Sequence, residues 1–350
     1  MNPGAGFYSA TRQARRVLVL DPGMLGDTLH LLPAMRELRR NYSRAELHVL
    51  CSPVGAELHR MAGHATQLWP LSQERKERRL GEQLRLLLTL RRLRFDASLN
   101  FGTNDRNLIY AAVVSARRRL GRRWDRWHVW SGLCVPDWVT VQGAGKAVFE
   151  ERLIMLAAAG FPIQQTQLTL PVPEEARIWA LANIPEGAVH VSINASTSLK
   201  EWPLGHWSET ARRIAADLGR PIIATGSNQA RERQRLDALA SAVPGIRVLA
   251  GLPIPLLAAT IGRCSLHVGA DSGALHLAVA VGTPSISLFR DYPGWETWAP
   301  QGDAHQVLIA HCECASKKKS DCLQRTEAAC LAGIAAETVM NAVRERLGHS

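Results

Sequence analysis

Three short stretches of this chain gather acids, hydroxyls, glycines and a lysine at spacings that could carry chemistry. The first is LVLDPGMLGDTLHLLPA (18–34). Gly23 and Gly26 permit a tight turn after a β-branched strand, and Asp27 arrives where the next helix should begin. There it is either an N-cap or a carboxylate placed to take a proton as general base. His30, three residues on, either orients a ligand beside Asp27 or serves packing or capping. The second stretch is INASTSLKEWPLGHW (193–207), in which Ser196, Thr197 and Ser198 precede Lys200 and Trp202-Pro203 closes the turn. A lysine is a compact charge suited to a phosphate, and the hydroxyls can donate to the same oxygens. The plain alternative is a polar loop with an exposed lysine. The third is GADSGALHLAVAVGTPSISLF (269–289). A helix N-terminus attracts anions through its unpaired N–H groups and positive dipole end. Ser272 and Gly273 would offer such groups, and Asp271 would either cap the helix or bond a sugar hydroxyl. Phosphate at Ser272 and Gly273, faced by Lys200, would make a diphosphate clamp.

The elements that must position these loops alternate. RRVLVL (15–20), AELHVLCS (45–52) and FDASLNFG (95–102) read as strands separated by helical patterns, which indicates a parallel, doubly wound sheet. The proline-punctuated segment 165–188 interrupts the pattern. After it the alternation restarts with VHVSIN, PIIATGS, RVLAG, SLHVGA and PSISLF as strands. Two consecutive sandwiches of similar size follow, with domains expected at 1–168 and 188–333, a linker at 169–187, and an amphipathic helix at 334–350. In open α/β sheets ligands bind at the carboxyl ends of the strands, where all three stretches fall.

At 350 residues the chain is long enough for two cores. No run of eighteen apolar residues is present, and the first residues lack the apolar stretch of a secretory signal. A cytoplasmic protein is expected. The net charge of +11 is lopsided: residues 1–150 hold 24 Lys/Arg against 13 Asp/Glu, and the remainder holds 18 of each. Much of the excess lies in 74–94 and 116–127. Such a half favours anionic partners, or is a solvated face laced with local Glu/Arg pairs. A nucleic-acid-binding protein is the competing class, argued only by this charge, since no recognisable module with interleaved aromatics accompanies it.

The three motifs together resemble glycosyltransferase family 9, the ADP-heptose:lipopolysaccharide heptosyltransferases. That family shows a Gly-Asp loop before a proline-bearing helix, a mid-chain K-x-W-P, and later D-S/T-G-x-x-H-L-x-A-A-x-G-x-P. Here stand LGDTLHLLPAMREL, KEWPLGHW and DSGALHLAVAVGTP, in that order, within a likeness spanning about 17–345. The resemblance implies an α/β GT-B fold, with two Rossmann-like domains facing across a cleft. The first domain would take the acceptor and the second the ADP-sugar, and the helix at 334–350 would cross back onto the first domain. The implied reaction is inverting transfer of heptose from ADP-heptose to an inner-core sugar, with no cofactor required. By the same resemblance, Asp27 is the general base and Lys200 neutralises the donor phosphates as the sugar bond breaks. Ser196, Thr197, Asp271, Ser272, Gly273 and His276 contact the donor. Glu232 falls where relatives place a ribose-binding acid. Gly26, Asp27 and His30 line the acceptor side. The chain departs from the pattern at Pro22, Gly23 and Met24, in place of serines before Gly-Asp, and at Asn194 in SINAS.

The resemblance gives the basic half a use, drawing the protein to an anionic glycolipid acceptor at the inner membrane surface. LRLLLTLRRLRF (84–95) either lies in that interface or packs on its own domain. A hydroxyl on a protein is the alternative acceptor, and a nucleotide-sugar-binding relative without turnover the idle alternative. Cys312, Cys314, Cys322 and Cys330 are spaced C-x-C-x7-C-x7-C. They either hold a structural zinc or iron or remain reduced thiols; disulfides are not expected in a reducing compartment.

Overall fold

The computed structural model describes residues 3–72, 80–102, 104–123, 129–141, 145–312 and 327–348. The chain divides into two compact units, Met1–Leu168 and Thr169–Ser350. In the first, β1 (Arg16–Asp21), β2 (Glu46–Cys51), β3 (Gln67–Pro70), β4 (Ala97–Asn100), β5 (Arg118–Arg123) and β6 (Asp137–Thr140) form a parallel sheet. Its order is β3-β2-β1-β4-β5-β6. In the second, β7 (Val189–Ser192), β8 (Ile222–Gly226), β9 (Arg247–Ala250), β10 (Leu266–Ala270), β11 (Ser285–Phe289) and β12 (His305–Ile309) are again all parallel. The order β12-β11-β10-β7-β8-β9 is the same winding. Strand order reverses between β1 and β4 and between β7 and β10, and at such switch points the flanking loops splay apart and leave a crevice.

The strand sequences explain the layering. In β1, Val17 and Val19 enter one core and Leu18 and Leu20 another, because successive side chains point to opposite faces and both faces are covered. Each fully buried Leu or Val of this kind contributes about 1.5–3 kcal/mol. On one side lie α2 (Leu25–Asn41) and α7 (Val148–Ala158), in mutual contact. α4 (Leu80–Arg92) and α5 (Asp105–Val114) supply Leu87, Leu90, Leu108 and Ala111 to the other core. The 84–95 stretch is therefore helical to Arg92 and packed on its own unit, with Leu84 and Leu88 left exposed.

The basic run 116–127 contributes a strand. β5 buries Leu120, Arg118 makes a two-pronged pair with Asp137 (2.5 and 2.9 Å), and Arg122 meets Glu151 at 2.6 Å. Part of the positive excess is thus used inside the fold.

Two boundary expectations are corrected. The segment expected as a linker at 169–187 contains α8 (Glu174–Asn183), whose Ala176 and Ala180 are buried with Ala259 of α11 (Ile254–Arg263) in the second unit. Small residues at i and i+4 let the two helices approach closely. The C-terminal helix Ala336–Gly348 also packs within the second unit. Its Val339, Met340 and Val343 fill the core beside Trp207 and Ile214 of α9 (Leu204–Leu218), which uses up its apolar stripe there.

The second sheet carries an unusual polar pair. His190 and His267 face each other across β7 and β10, Nδ1 to Nδ1 at 2.7 Å, and His190 Nε2 meets Thr225 Oγ1 at 2.8 Å. Gly269 leaves room for the His267 ring, since a Cβ there would lie 2.5 Å from Nε2. Burial pushes the His190 pKa down to about 3 and that of His267 well below its usual value. Both rings are neutral in the fold, whereas in an unfolded chain they take up protons below about pH 6.5. Depressed folded pKa values mean that this contribution to stability is present above that pH and is lost as pH falls. Unfolding free energy should drop by about 1.4 kcal/mol per histidine for each pH unit below 6.5. Denaturant titrations between pH 7 and 5 check this against His267→Gln, in which the slope should shrink by about one histidine's share. An unchanged slope would mean that the ring is protonated in the fold.

Candidate active site

Each sheet carries one group of candidate residues at its carboxyl edge. In the first unit β1 ends on Asp21, and the turn that follows delivers Asp27 into the first turn of α2. Asp27 Oδ2 accepts the Met24 N–H at 3.1 Å, so the carboxylate does hold the helix start. Gly23 makes this possible: a Cβ there would lie 2.5 Å from the Asp27 Cβ. The carboxylate nevertheless stays 40% exposed and reachable by a ligand. α7 brings Arg152 to it. The guanidinium donates to the Asp27 carbonyl oxygen and lies 3.9 Å from Oδ1. Burial lowers the Arg152 pKa, while Asp21, Asp27 and Glu151 act in the opposite sense.

Behind Asp27, Asp21 accepts from His59 Nε2 at 3.1 Å, both being buried. Ser52 Oγ donates to the Gly23 carbonyl at 2.6 Å and accepts from Gly55 N–H at 3.1 Å, pinning the turn to the end of β2. None of Arg152, Asp21, His59 or Ser52 stood out in the sequence, because each lies far along the chain from Asp27 or inside an apolar run. His30 is buried, its ring stacked on Phe149 with centroids 6.1 Å apart.

In the second unit the loops after β7 and β10 flank the switch point and meet. Lys200 Nζ lies 2.6 Å from Asp271 Oδ2, and His276 Nε2 is 3.7 Å from Asp271 Oδ1. Tyr292 donates its hydroxyl to Asp271 Oδ2 at 3.3 Å, and Lys200 Nζ sits 5.8 Å from the centre of the Tyr292 ring. Burial by itself would raise the Asp271 pKa. The hydrogen bond from His276 and the Lys200 charge outweigh it, and the net shift is downward, so the carboxylate is ionised. Asp271 is therefore the anchor of a cation rather than a helix cap.

The N-cap position of α12 (Gly273–Val281) falls to Ser272, in extended conformation and with no side-chain cap bond. Its Oγ is buried without a hydrogen-bond partner among the described residues. The first N–H groups of α12 are left for another acceptor. Gly282, at φ 82°, ends the helix in the left-handed region that favours glycine.

The Lys200 loop is held from below. Glu201, buried, accepts the Ala195 N–H at 3.1 Å and pairs with Arg231 at 2.8 Å and Arg235 at 3.5 Å. Trp202 is fully buried, stacks edge-on against Trp207, and donates to the Ile334 carbonyl at 2.9 Å. In KEWP, then, the lysine faces out while its two neighbours fix the turn. Ser196 and Thr197 are exposed on the same loop. Glu232 stands in the first turn of α10 (Ala230–Ala242) and accepts the Ser227 N–H at 2.7 Å. A Cβ on Gly226 would lie 3.3 Å from Glu232 and 3.0 Å from Asn194, so Glu232 shares the end of β8 with the loop.

Of the four clustered cysteines, Cys314 and Cys322 lie outside the described residues. Cys330 is buried in the apolar core, and Cys312 packs partly against it. Among the described residues no three His, Cys, Asp or Glu side chains gather closely enough to hold a metal.

Comparison with known proteins agrees with this arrangement. The family model for glycosyltransferase family 9 (heptosyltransferase) matches residues 83–327. Lipopolysaccharide heptosyltransferase 1 of Pseudomonas aeruginosa is 25% identical over 288 residues, 78% of this chain and 78% of its own length. The Escherichia coli ADP-heptose lps heptosyltransferase II structure matches with a TM-score of 0.77 at 18% identity, over 95% of this chain and 99% of that one. An E. coli heptosyltransferase structure with ADP-2-deoxy-2-fluoro heptose gives 0.72 at 18% identity, over 94% and 99%. These folds bear out the two-domain GT-B architecture that the motifs imply. With the family model covering about half of the first unit and most of the second, and the Gly-Asp, K-x-W-P and D-S-G elements at the carboxyl edges of its sheets, the chain belongs to glycosyltransferase family 9, the heptosyltransferases, and is a glycosyltransferase.

Proposed function

We propose that the protein transfers heptose from ADP-heptose to a sugar hydroxyl of the lipopolysaccharide inner core, inverting the anomeric centre. The observation that carries this is the meeting of Lys200, Asp271 and His276 beside the open start of α12, at the point where strand order reverses. A nucleoside diphosphate leaving group develops negative charge as the sugar bond breaks, and fixed cations and N–H dipoles stabilise that charge. Lys200, with Ser196, Thr197 and the N–H groups at Ser272 and Gly273, would hold the diphosphate. Asp271 and His276 would bond heptose hydroxyls, and Glu232 the ribose. Direct displacement also needs a base on the attacking hydroxyl, the role of Asp27, with Gly26 and His30 completing the acceptor side.

The names of the relatives support the acceptor class, and the E. coli structure holding an ADP-heptose analogue supports the donor. The basic residues of the first unit suit an acceptor rich in phosphates and carboxylates and an anionic membrane surface. Among the described residues no helix is long and apolar enough to cross a membrane.

The test is ADP release from ADP-heptose by the full chain, with and without deacylated inner-core acceptor. Release that depends on the acceptor is expected. ADP binding without turnover on any core acceptor would move the proposal to a protein hydroxyl or to an idle relative.

A further inference from the structure

Lys200 is the one cation that the sequence motifs offer to the donor, yet its charge is already matched by Asp271 at 2.6 Å. A sugar nucleotide brings two negative charges on its diphosphate, and the departing diphosphate gains more. The pair Lys200–Asp271 is neutral as a unit, so a site built on it alone lacks positive charge.

Arg290 supplies the missing charge. It follows the last residue of β11, next to β10 in the sheet, where Ala270 pairs with Leu288 and the Asp271 N–H donates to the Leu288 carbonyl at 3.3 Å. Carrying that register two residues on sets Arg290 alongside Ser272. Its guanidinium carbon lies 5.3 Å from the centre of the Tyr292 ring, the ring that also receives Lys200 at 5.8 Å. Two cations thus share one aromatic side chain whose hydroxyl is bonded to Asp271. Arg290 is partly buried, and its Nε is buried with no hydrogen-bond partner among the described residues. The adjacent acid is occupied elsewhere: Asp291 accepts the Cys312 N–H at 2.8 Å and lies 3.8 Å from His311. Among the described residues no carboxylate pairs with Arg290. A partly buried guanidinium whose Nε has no partner among the described residues is completed by an anion, and its planar fork matches two phosphate oxygens at once.

We infer that Arg290 is a second phosphate-binding cation of the donor site, stacked on Tyr292 and matched to the diphosphate rather than to any acid among the described residues. The inference rests on the proposed reading of this edge as the nucleotide-sugar site. It adds a division of labour: Lys200 is held by Asp271 and Arg290 is unmatched until a phosphate arrives.

Titration calorimetry on the full chain with ADP, AMP and adenosine tests it. Arg290→Gln should weaken ADP about 10- to 100-fold, weaken AMP less, and leave adenosine unchanged, with Arg290→Lys recovering part of the loss. A merely structural role would weaken adenosine in the same proportion and would overturn the inference. ADP binding that is unchanged in Arg290→Gln but reduced in Lys200→Ala overturns the role of Arg290 and leaves the site reading standing. ADP that binds no better than adenosine to the unsubstituted chain overturns both.

Discussion

Asp27→Asn is expected to lower kcat for heptose transfer by about 10²- to 10⁴-fold, the range that a positioned general base contributes, with donor affinity unchanged. The substitution is chosen because Asp27 has two jobs. Its Oδ2 accepts the Met24 N–H at the start of α2, and its exposed carboxylate would take the acceptor proton. Asparagine keeps the volume and an oxygen that can accept the Met24 N–H, but it cannot accept a proton at neutral pH. The fold should therefore lose no more than about 1 kcal/mol, the scale of one cap, while turnover collapses. Thermal unfolding and acceptor-dependent ADP release, measured on the same preparation, separate the two. A variant that melts earlier yet turns over normally would make Asp27 a cap only. Arg152 enters the same test, since it donates to the Asp27 carbonyl from α7 and stands 3.9 Å from the carboxylate.

Lys200→Ala should weaken ADP at least tenfold and also destabilise the second unit by about 1–3 kcal/mol. The stability loss follows from what remains. Asp271 is buried and ionised, and without the ammonium it keeps, among the described residues, His276 and the Tyr292 hydroxyl. Because Lys200 is 31% exposed, water replaces part of what is lost, which places the cost below that of a fully buried pair. Asp271→Asn is the informative counterpart. It frees the ammonium while keeping the side-chain volume, so ADP should bind at least as well as to the parent chain. Turnover should fall if Asp271 orients the sugar. Calorimetry with ADP, denaturant titration and the release assay together distinguish the outcomes. Equal ADP affinity in Lys200→Ala and the parent would remove Lys200 from the phosphate site.

Why the sequence was so informative here is a matter of period and position. Strands buried on both faces read as continuous apolar runs, and in a parallel sheet each is followed by a loop at the ligand edge. RVLVL, LHVL and SLHVGA therefore announced both the sheets and the places where Asp27 and Asp271 would sit. The strand Arg118–Arg123 was hidden because four of its six residues are arginines, and only pairing with Asp137 and burial of Leu120 reveal it. Helix α8 was hidden by prolines on either side of it, which mark its ends rather than a linker. The C-terminal helix was legible as amphipathic, but periodicity says that a face is apolar, not which surface covers it.

By itself the sequence determined the two doubly wound halves, the order of the three site loops and the family they belong to, since these depend on local pattern and motif spacing. Tertiary structure alone decided what each charge does. It joined Lys200 to Asp271 across 71 residues, set Tyr292 under the lysine, brought Arg152 to Asp27 across 125, and left Arg290 without an acid among the described residues. The physical reason is that a charge's role is fixed by the partner within a few ångströms and by the water excluded around it. In a sheet wound from distant strands, those partners are neighbours in space and strangers along the chain.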